Sequence, residues 1–214
     1  MTRIKICGIT RVEDGLAAAH AGADAIGLVF AANSPRRVTP AQAHDIARAL
    51  PPFVATVALF VNPSVAEVET ILKTVRPDVL QFHGEEPAAF CRAFAVPYLK
   101  AFRVRPGVDL LQSAASYGDA QGWLLDAWSE AAHGGTGERF DWELIPPDRP
   151  RPVLLAGGLT PANVAEAVRR VRPWAVDVSS GVESAKGIKD AAKIAAFIKE
   201  VENVDLQLSH IQLP

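Results

Sequence analysis

A lysine and a thiol stand two residues apart near the start of the chain, in Lys5-Ile6-Cys7-Gly8-Ile9-Thr10. If the apolar run Ile4 to Cys7 is a strand, both side chains point to one face. Gly8 then frees the backbone to turn. A thiolate at such a strand end is suited to act as a base; the plainer reading makes Cys7 a small packed residue. Asp126 closes another apolar run, Trp123-Leu124-Leu125. A carboxylate there is costly to bury unless it is paired or used. It either caps the next loop or serves as a general acid, provided burial lifts its pKa above about 3.9. His83, in Gln81-Phe82-His83-Gly84, is a ligand contact or a cap at a strand end. In Ser34-Pro35-Arg36-Arg37 one guanidinium is solvated, and the other, assigned to Arg36, can grip a carboxylate with its planar fork.

Two glycine-bearing stretches suit an anion. Ala156-Gly157-Gly158-Leu159 runs into Thr160-Pro161, and Ser179-Ser180-Gly181-Val182-Glu183 follows another apolar run. Glycines let backbone N–H groups approach closely, and helix starts favour negative charge. The alternative is a pair of ordinary turns. Neither motif contains Lys or Arg, so backbone dipoles would carry most of the phosphate recognition. His133-Gly134-Gly135-Thr136-Gly137 has the composition of a lid or of a plain surface loop. Cys91, in Phe90-Cys91-Arg92, lies inside a helical pattern and reads as packing.

These residues need a frame that brings distant strand ends together. Eight short apolar runs recur: Ile4–Cys7, Ala25–Phe30, Val54–Phe60, Val79–His83, Tyr98–Phe102, Trp123–Asp126, Val153–Ala156 and Ala175–Val178. Between them lie loops and helical patterns such as Ala41–Leu50, Val65–Val75, Ala162–Val171 and Ala191–Val201. Thr39-Pro40 and Thr160-Pro161 read as helix starts, with Thr as cap and Pro at the first helical position. Phe140–Leu144 is a poor sixth helix, and Asn203–Pro214 has no strong pattern. Alternation of this kind gives α/β architecture with parallel strands. Eight units favour a single closed (β/α)8 TIM barrel. The rival doubly wound sheet usually carries a glycine-rich turn after its first strand, and Gly8-Ile9-Thr10 is not one.

In such barrels the active site lies at the C-terminal strand ends. Those ends supply Cys7, Asn33 with Arg36, Asn62, His83, Arg103, Asp126, Gly157-Gly158 and Ser179-Ser180-Gly181. Closure would also set strand eight beside strand one. Lys5 and Asp177 are then expected to point inward and form an ion pair beneath the site, biasing Cys7 toward thiolate. The alternative sends Lys5 outward, its stem lying between helices.

The chain has 214 residues and a formal net charge of -2. That length suits one barrel domain over residues 1–214, and the near-neutral charge favours neither nucleic acid nor a membrane surface. No apolar run approaches the ~20 residues of a membrane span, and no leader pattern opens the chain. Two cysteines are too few for a disulfide framework, so a cytoplasmic setting with reduced thiols is expected.

In order along the chain, Lys5–Thr10, Gly27–Phe30 with Ser34–Arg36, Phe60–Asn62, Gln81–Glu85, Leu125-Asp126, Gly134–Gly137 with Phe140–Trp142, Leu155–Leu159 and Asp177–Glu183 resemble phosphoribosylanthranilate isomerases of tryptophan biosynthesis. The departures are Phe82, where a smaller aliphatic residue is usual, and the bulky Ala127-Trp128. The resemblance implies an Amadori rearrangement of N-(5'-phosphoribosyl)anthranilate without metal or cofactor. It makes Cys7 the general base and Asp126 the general acid. Arg36 would hold the anthranilate carboxylate, and the loops with Gly157, Gly158, Ser179, Ser180 and Gly181 would hold the phosphate, while His83 keeps its two readings as ligand contact or strand-end cap. The partner is then a small phosphosugar, acted on by a monomer or homodimer. A metal-dependent epimerase would need paired His and Asp ligands, and of five histidines only His83 sits at a strand end. A non-catalytic phosphosugar-binding barrel would have no reason to set Cys7 opposite Asp126.

Overall fold

The computed structural model describes residues 1–127 and 142–211. Eight parallel strands close into a barrel: β1 (Arg3–Cys7), β2 (Ala25–Val29), β3 (Ala55–Phe60), β4 (Val79–Phe82), β5 (Tyr98–Val104), β6 (Gly122–Ala127), β7 (Val153–Leu155) and β8 (Ala175–Val178). Strand β8 pairs with β1, so the sheet has no edge. Beyond β8, β9 (Glu183–Ala185) and β10 (Ile188–Lys189) form a small antiparallel hairpin that sequence patterning does not show.

Helices α1 (Val12–Ala21), α2 (Pro40–Ala49), α3 (Val65–Thr74), α4 (Ala88–Cys91), α5 (Leu110–Ala114), α6 (Val164–Val171) and α7 (Ala191–Ile211) complete the order of elements. Thr39 caps α2 as expected, its hydroxyl accepting from the Gln42 N–H at 3.2 Å. Ser64 and Glu67 make the same reciprocal box at α3. Thr160 does not cap α6. Asn163 closes that start instead, accepting from the Thr160 N–H and donating to the Gly158 carbonyl, both at 2.8 Å. The chain is still turning through Gly157 and Gly158 there, so the helix begins only at Val164. The segment after Asn203 is helical through Ile211, with Val204 buried and Leu208 packed against the core. Near the poor sixth helix, Trp142–Leu144 forms one 3-10 turn with Trp142 buried.

Side chains alternate across each strand. Ile4, Ile6, Ile26, Leu28, Leu125 and Leu155 pack outward against the helices, where full burial of one such side chain is worth ~1.5–3 kcal/mol. Leu99, Ala101, Leu124, Leu154, Ala156 and Ala175 fill the interior below the site. Above them Cys7, Val29 and Leu59 form an upper layer. The register aligns Lys5 with Asp177. Both point inward, and Lys5 Nζ meets Asp177 Oδ1 at 2.8 Å with side chains 3% and 8% exposed. Phe82 faces outward into a ring of aromatics, its centroid 5.8–6.2 Å from those of Phe60, Phe90, Phe94 and Tyr98, so this departure is absorbed away from the barrel mouth.

Candidate active site

Cys7 ends β1 inside the barrel, 5% exposed. Gly27 on the next strand makes room for it, since a Cβ there would lie 2.7 Å from Cys7 Sγ. Gly8 turns at φ 74°, and the Gly8 and Ile9 N–H groups both donate to the Gly27 carbonyl. Burial pushes the Cys7 thiol up; Lys5 and Lys189 pull it down, Asp177 opposes them, and the net shift is upward. Lys5 thus biases Cys7 toward thiolate as expected, by more than Asp177 opposes it, but burial outweighs that bias. Burial alone would lower Lys5, but Asp177 and Cys7 outweigh it and hold the ammonium above its ordinary value.

Asp126 faces inward from β6 and is 6% exposed. His83 Nε2 lies 3.1 Å from Asp126 Oδ2, and His83 Nδ1 lies 3.0 Å from Gln81 Nε2. Arg103 is aligned with Asp126 across β5 and β6, on the same rim.

Arg36 reaches in from the loop after β2. Its Nε and Nη2 donate to the two oxygens of Glu183 at 2.6 and 2.9 Å. Lys189 Nζ donates to Glu183 Oε1 at 3.0 Å and to the Ser179 carbonyl at 2.9 Å. Burial lowers the Lys189 ammonium, with Glu183 opposing in part. Burial would raise Glu183, but Arg36 and Lys189 outweigh it and hold the carboxyl below its usual range.

The loops after β7 and β8 touch. Gly157 and Gly158 have φ of 81° and 64°, the left-handed region that favours glycine. A Cβ on Gly181 would collide with the Leu159 carbonyl. Ser180–Val182 forms a 3-10 turn, with Gly181 against Leu159 and Thr160. Gly8 in turn abuts Arg36 and Ser179 Oγ, so the end of β1, the Arg36 guanidinium and the loop after β8 share one mouth.

A family model described as N-(5'-phosphoribosyl)anthranilate (PRA) isomerase matches residues 4–200. The N-(5'-phosphoribosyl)anthranilate isomerase of Pseudomonas aeruginosa (strain LESB58) is 60% identical over 201 residues, covering 94% of this chain and 95% of its own. The chain belongs to the phosphoribosylanthranilate isomerase family. The isomerase of Thiobacillus denitrificans is 58% identical over 200 residues, 94% of this chain and 98% of that one. The phosphoribosylanthranilate isomerase structure from Thermotoga maritima aligns with a TM-score of 0.88 at 42% identity, covering 95% of this chain and all of that one. A family structure in complex with reduced 1-(o-carboxyphenylamino)-1-deoxyribulose 5-phosphate aligns at 0.85, also 42% identical, with the same coverage. The protein is therefore an isomerase with the TIM-barrel fold.

Within this phosphoribosylanthranilate isomerase fold, some site partners escape sequence reading. Lys189 lies outside every motif, in Gly187-Ile188-Lys189-Asp190, yet the β9–β10 hairpin delivers a cation to the loop after β8. Sequence reading, which found no Lys or Arg within either glycine-bearing motif, gave no sign of this neighbouring cation. Lys100, on the outward side of β5, pairs with Glu86 at 3.0 Å. Glu86 accepts from the Asn62 and Gly84 N–H groups, tying the loops after β3 and β4 together. The only advance signal was charge at apolar positions. The suspected lid, His133–Gly137, and the bulky Trp128 lie outside the described residues.

Proposed function

We propose that this isomerase rearranges N-(5'-phosphoribosyl)anthranilate to 1-(2-carboxyphenylamino)-1-deoxyribulose 5-phosphate in tryptophan biosynthesis, with Asp126 as general acid and Cys7 as general base. The observation that carries this reading is the placement of both groups on the barrel's inner face at its C-terminal end, on strands β1 and β6, in a member of this family. Asp126 protonates the furanose ring oxygen, the C1′–oxygen bond breaks, and a protonated Schiff base remains. Cys7, having lost its proton, takes the proton from C2′, and the electron pair left behind forms the enolamine. Loss of the 2′-hydroxyl proton and proton gain at C1′ complete the ketone. General acid and base groups each typically contribute ~10²–10⁴-fold.

Arg36 holds the anthranilate carboxylate. Glu183 occupies its Nε–Nη2 edge and so orients the planar group, leaving the Nη1–Nη2 edge to serve as a second fork. The phosphate sits on the backbone N–H groups near Gly157, Gly158, Ser179, Ser180 and Gly181, with Lys189 beside them. His83 contacts the substrate alongside Asp126. No metal or cofactor is required by these steps. Residues 1–214 act as one barrel domain on a small phosphosugar, in the cytoplasm, without nucleic acid or membrane, as a monomer or homodimer; a structure of the Thermotoga maritima relative describes that protein as dimeric.

Turnover followed by loss of substrate fluorescence tests the reading. Cys7→Ser and Asp126→Asn should each lower kcat with little change in KM. Near-normal kcat with only a raised KM in either variant would remove that residue from its role.

A further inference from the structure

Gln81 is fully buried on the inward face of β4, one layer below His83, and its Oε1 has no hydrogen-bond partner among the described residues. Leaving a buried amide oxygen unpaired is costly, and such orphans are rare. Its Nε2 lies 3.0 Å from His83 Nδ1, and His83 Nε2 lies 3.1 Å from Asp126. An amide nitrogen only donates, so Nδ1 must be the bare, accepting nitrogen. The ring proton is then on Nε2 and is donated to the Asp126 carboxylate. This arrangement suits the pair with one proton, after Asp126 has delivered its own.

The acid form carries one proton more. With that proton between Asp126 Oδ2 and His83 Nε2, the other ring proton sits on Nδ1, whichever partner formally holds the shared one. Nδ1–H then needs an acceptor. A half-turn of the Gln81 amide supplies Oε1 at the same place, and the two ends of an amide are nearly the same size. The half-turn gives the orphan oxygen a donor in the state that is ready to protonate a substrate. We propose that Gln81 is a positioning residue whose amide turns with the proton content of the His83–Asp126 pair, selecting the histidine tautomer for each state. The proposal rests on Asp126 being the general acid.

The ionisable groups on the barrel's inner face are Lys5 and Cys7 on β1, Arg103 on β5, Asp126 on β6 and Asp177 on β8, among the described residues. Lys5 and Asp177 neutralise each other. Strands β2, β3 and β7 bring only glycine and apolar residues to this level, Gly27, Val29, Leu59 and Ala156 among them. The direct hydrogen-bonding neighbours of the His83 ring among the described residues are Gln81 and Asp126, with Arg103 aligned with Asp126 on the adjoining strand.

The test combines nitrogen NMR of His83 with pH profiles of kcat. In the parent, the His83 signals should show Nε2 protonated and Nδ1 bare at high pH, with Nδ1 gaining a proton as pH falls through the alkaline limb of the kcat profile. Gln81→Glu offers only acceptors, so it should hold Nδ1 protonated and move the alkaline limit of kcat to higher pH. Gln81→Met offers neither donor nor acceptor. It should lower kcat roughly 10–100-fold, as for outer partners that orient a ligating imidazole, with KM nearly unchanged. An Nδ1 that stays bare throughout the parent's titration overturns the proposal, even if Gln81→Met fails to fold. So does a Gln81→Met enzyme with the parent's pH profile. An Asp126→Asn enzyme with normal kcat would instead sink the acid assignment, independently of the tautomer measurement.

Discussion

Cys7 stores its reactivity behind a proton. Its pKa is raised by burial, so the thiol dominates at neutral pH, and only the thiolate can take a proton from carbon. The expected consequence is a rise of kcat/KM with pH through the neutral and mildly alkaline range. A flat profile there would mean that the thiol is already ionised. Among the described residues, Arg36 is bound along its Nε–Nη2 edge by Glu183. Arg36→Ala should weaken binding of anthranilate-bearing ligands, whereas Glu183→Gln should leave the guanidinium in place but less firmly oriented. Equilibrium binding of a reduced product analogue distinguishes them: the first variant should lose the larger share of affinity, and unchanged affinity in it would remove Arg36 from the site.

At the scale of elements, strand pairing and loop contact do work that no single residue does. Lys5 and Asp177 meet because β8 closes on β1. Removing one partner leaves a buried charge alone, which typically costs ~3–5 kcal/mol. Lys5→Met should lose about that much stability by denaturant unfolding, and a variant as stable as the parent would show the pair to be solvated. Above them, the loop after β8 lies on the loop after β7 through Gly181. Gly158→Val adds a branched side chain where φ is 64°, so it should weaken inorganic phosphate binding at least as much as it lowers thermal stability. Normal phosphate affinity in a folded Gly158→Val protein would count against the backbone site.

The whole molecule carries a stability term from its two buried thiols. Burial pushes Cys91 up to about 12, and Cys7 is raised as well. A thiol ionises in the unfolded chain near pH 8.5, so the folded state holds more protons above that pH and stability falls as pH rises. For Cys91 the loss runs from about pH 8.5 to 12 and amounts to a few kcal/mol at most. Chemical denaturation between pH 8 and about 11 should show this decline, and Cys91→Ala should flatten its slope whatever it does to absolute stability. An identical slope in the variant would mean that Cys91 reaches solvent in the folded state.

The sequence alone determined the barrel, most strand positions and the identity of the groups at their ends. Alternating period-2 and helical patterns are local properties, and Gly8, Thr39 and Ser64 act within a few residues of themselves. Even the Lys5–Asp177 pair was legible, because closure of eight strands leaves β1 one neighbour to find. Only the tertiary structure decided the electrostatics. Lys189 reaches the anion loop through a two-strand hairpin with no sequence pattern, and Glu183 takes the first edge of Arg36 across 147 positions. Burial, which raises Cys7 against its cationic neighbours, is a property of the packed barrel as a whole. The same holds for Gln81. In sequence it is a polar residue two before a histidine; only inside the closed barrel does its amide face one ring nitrogen with its oxygen left unpaired.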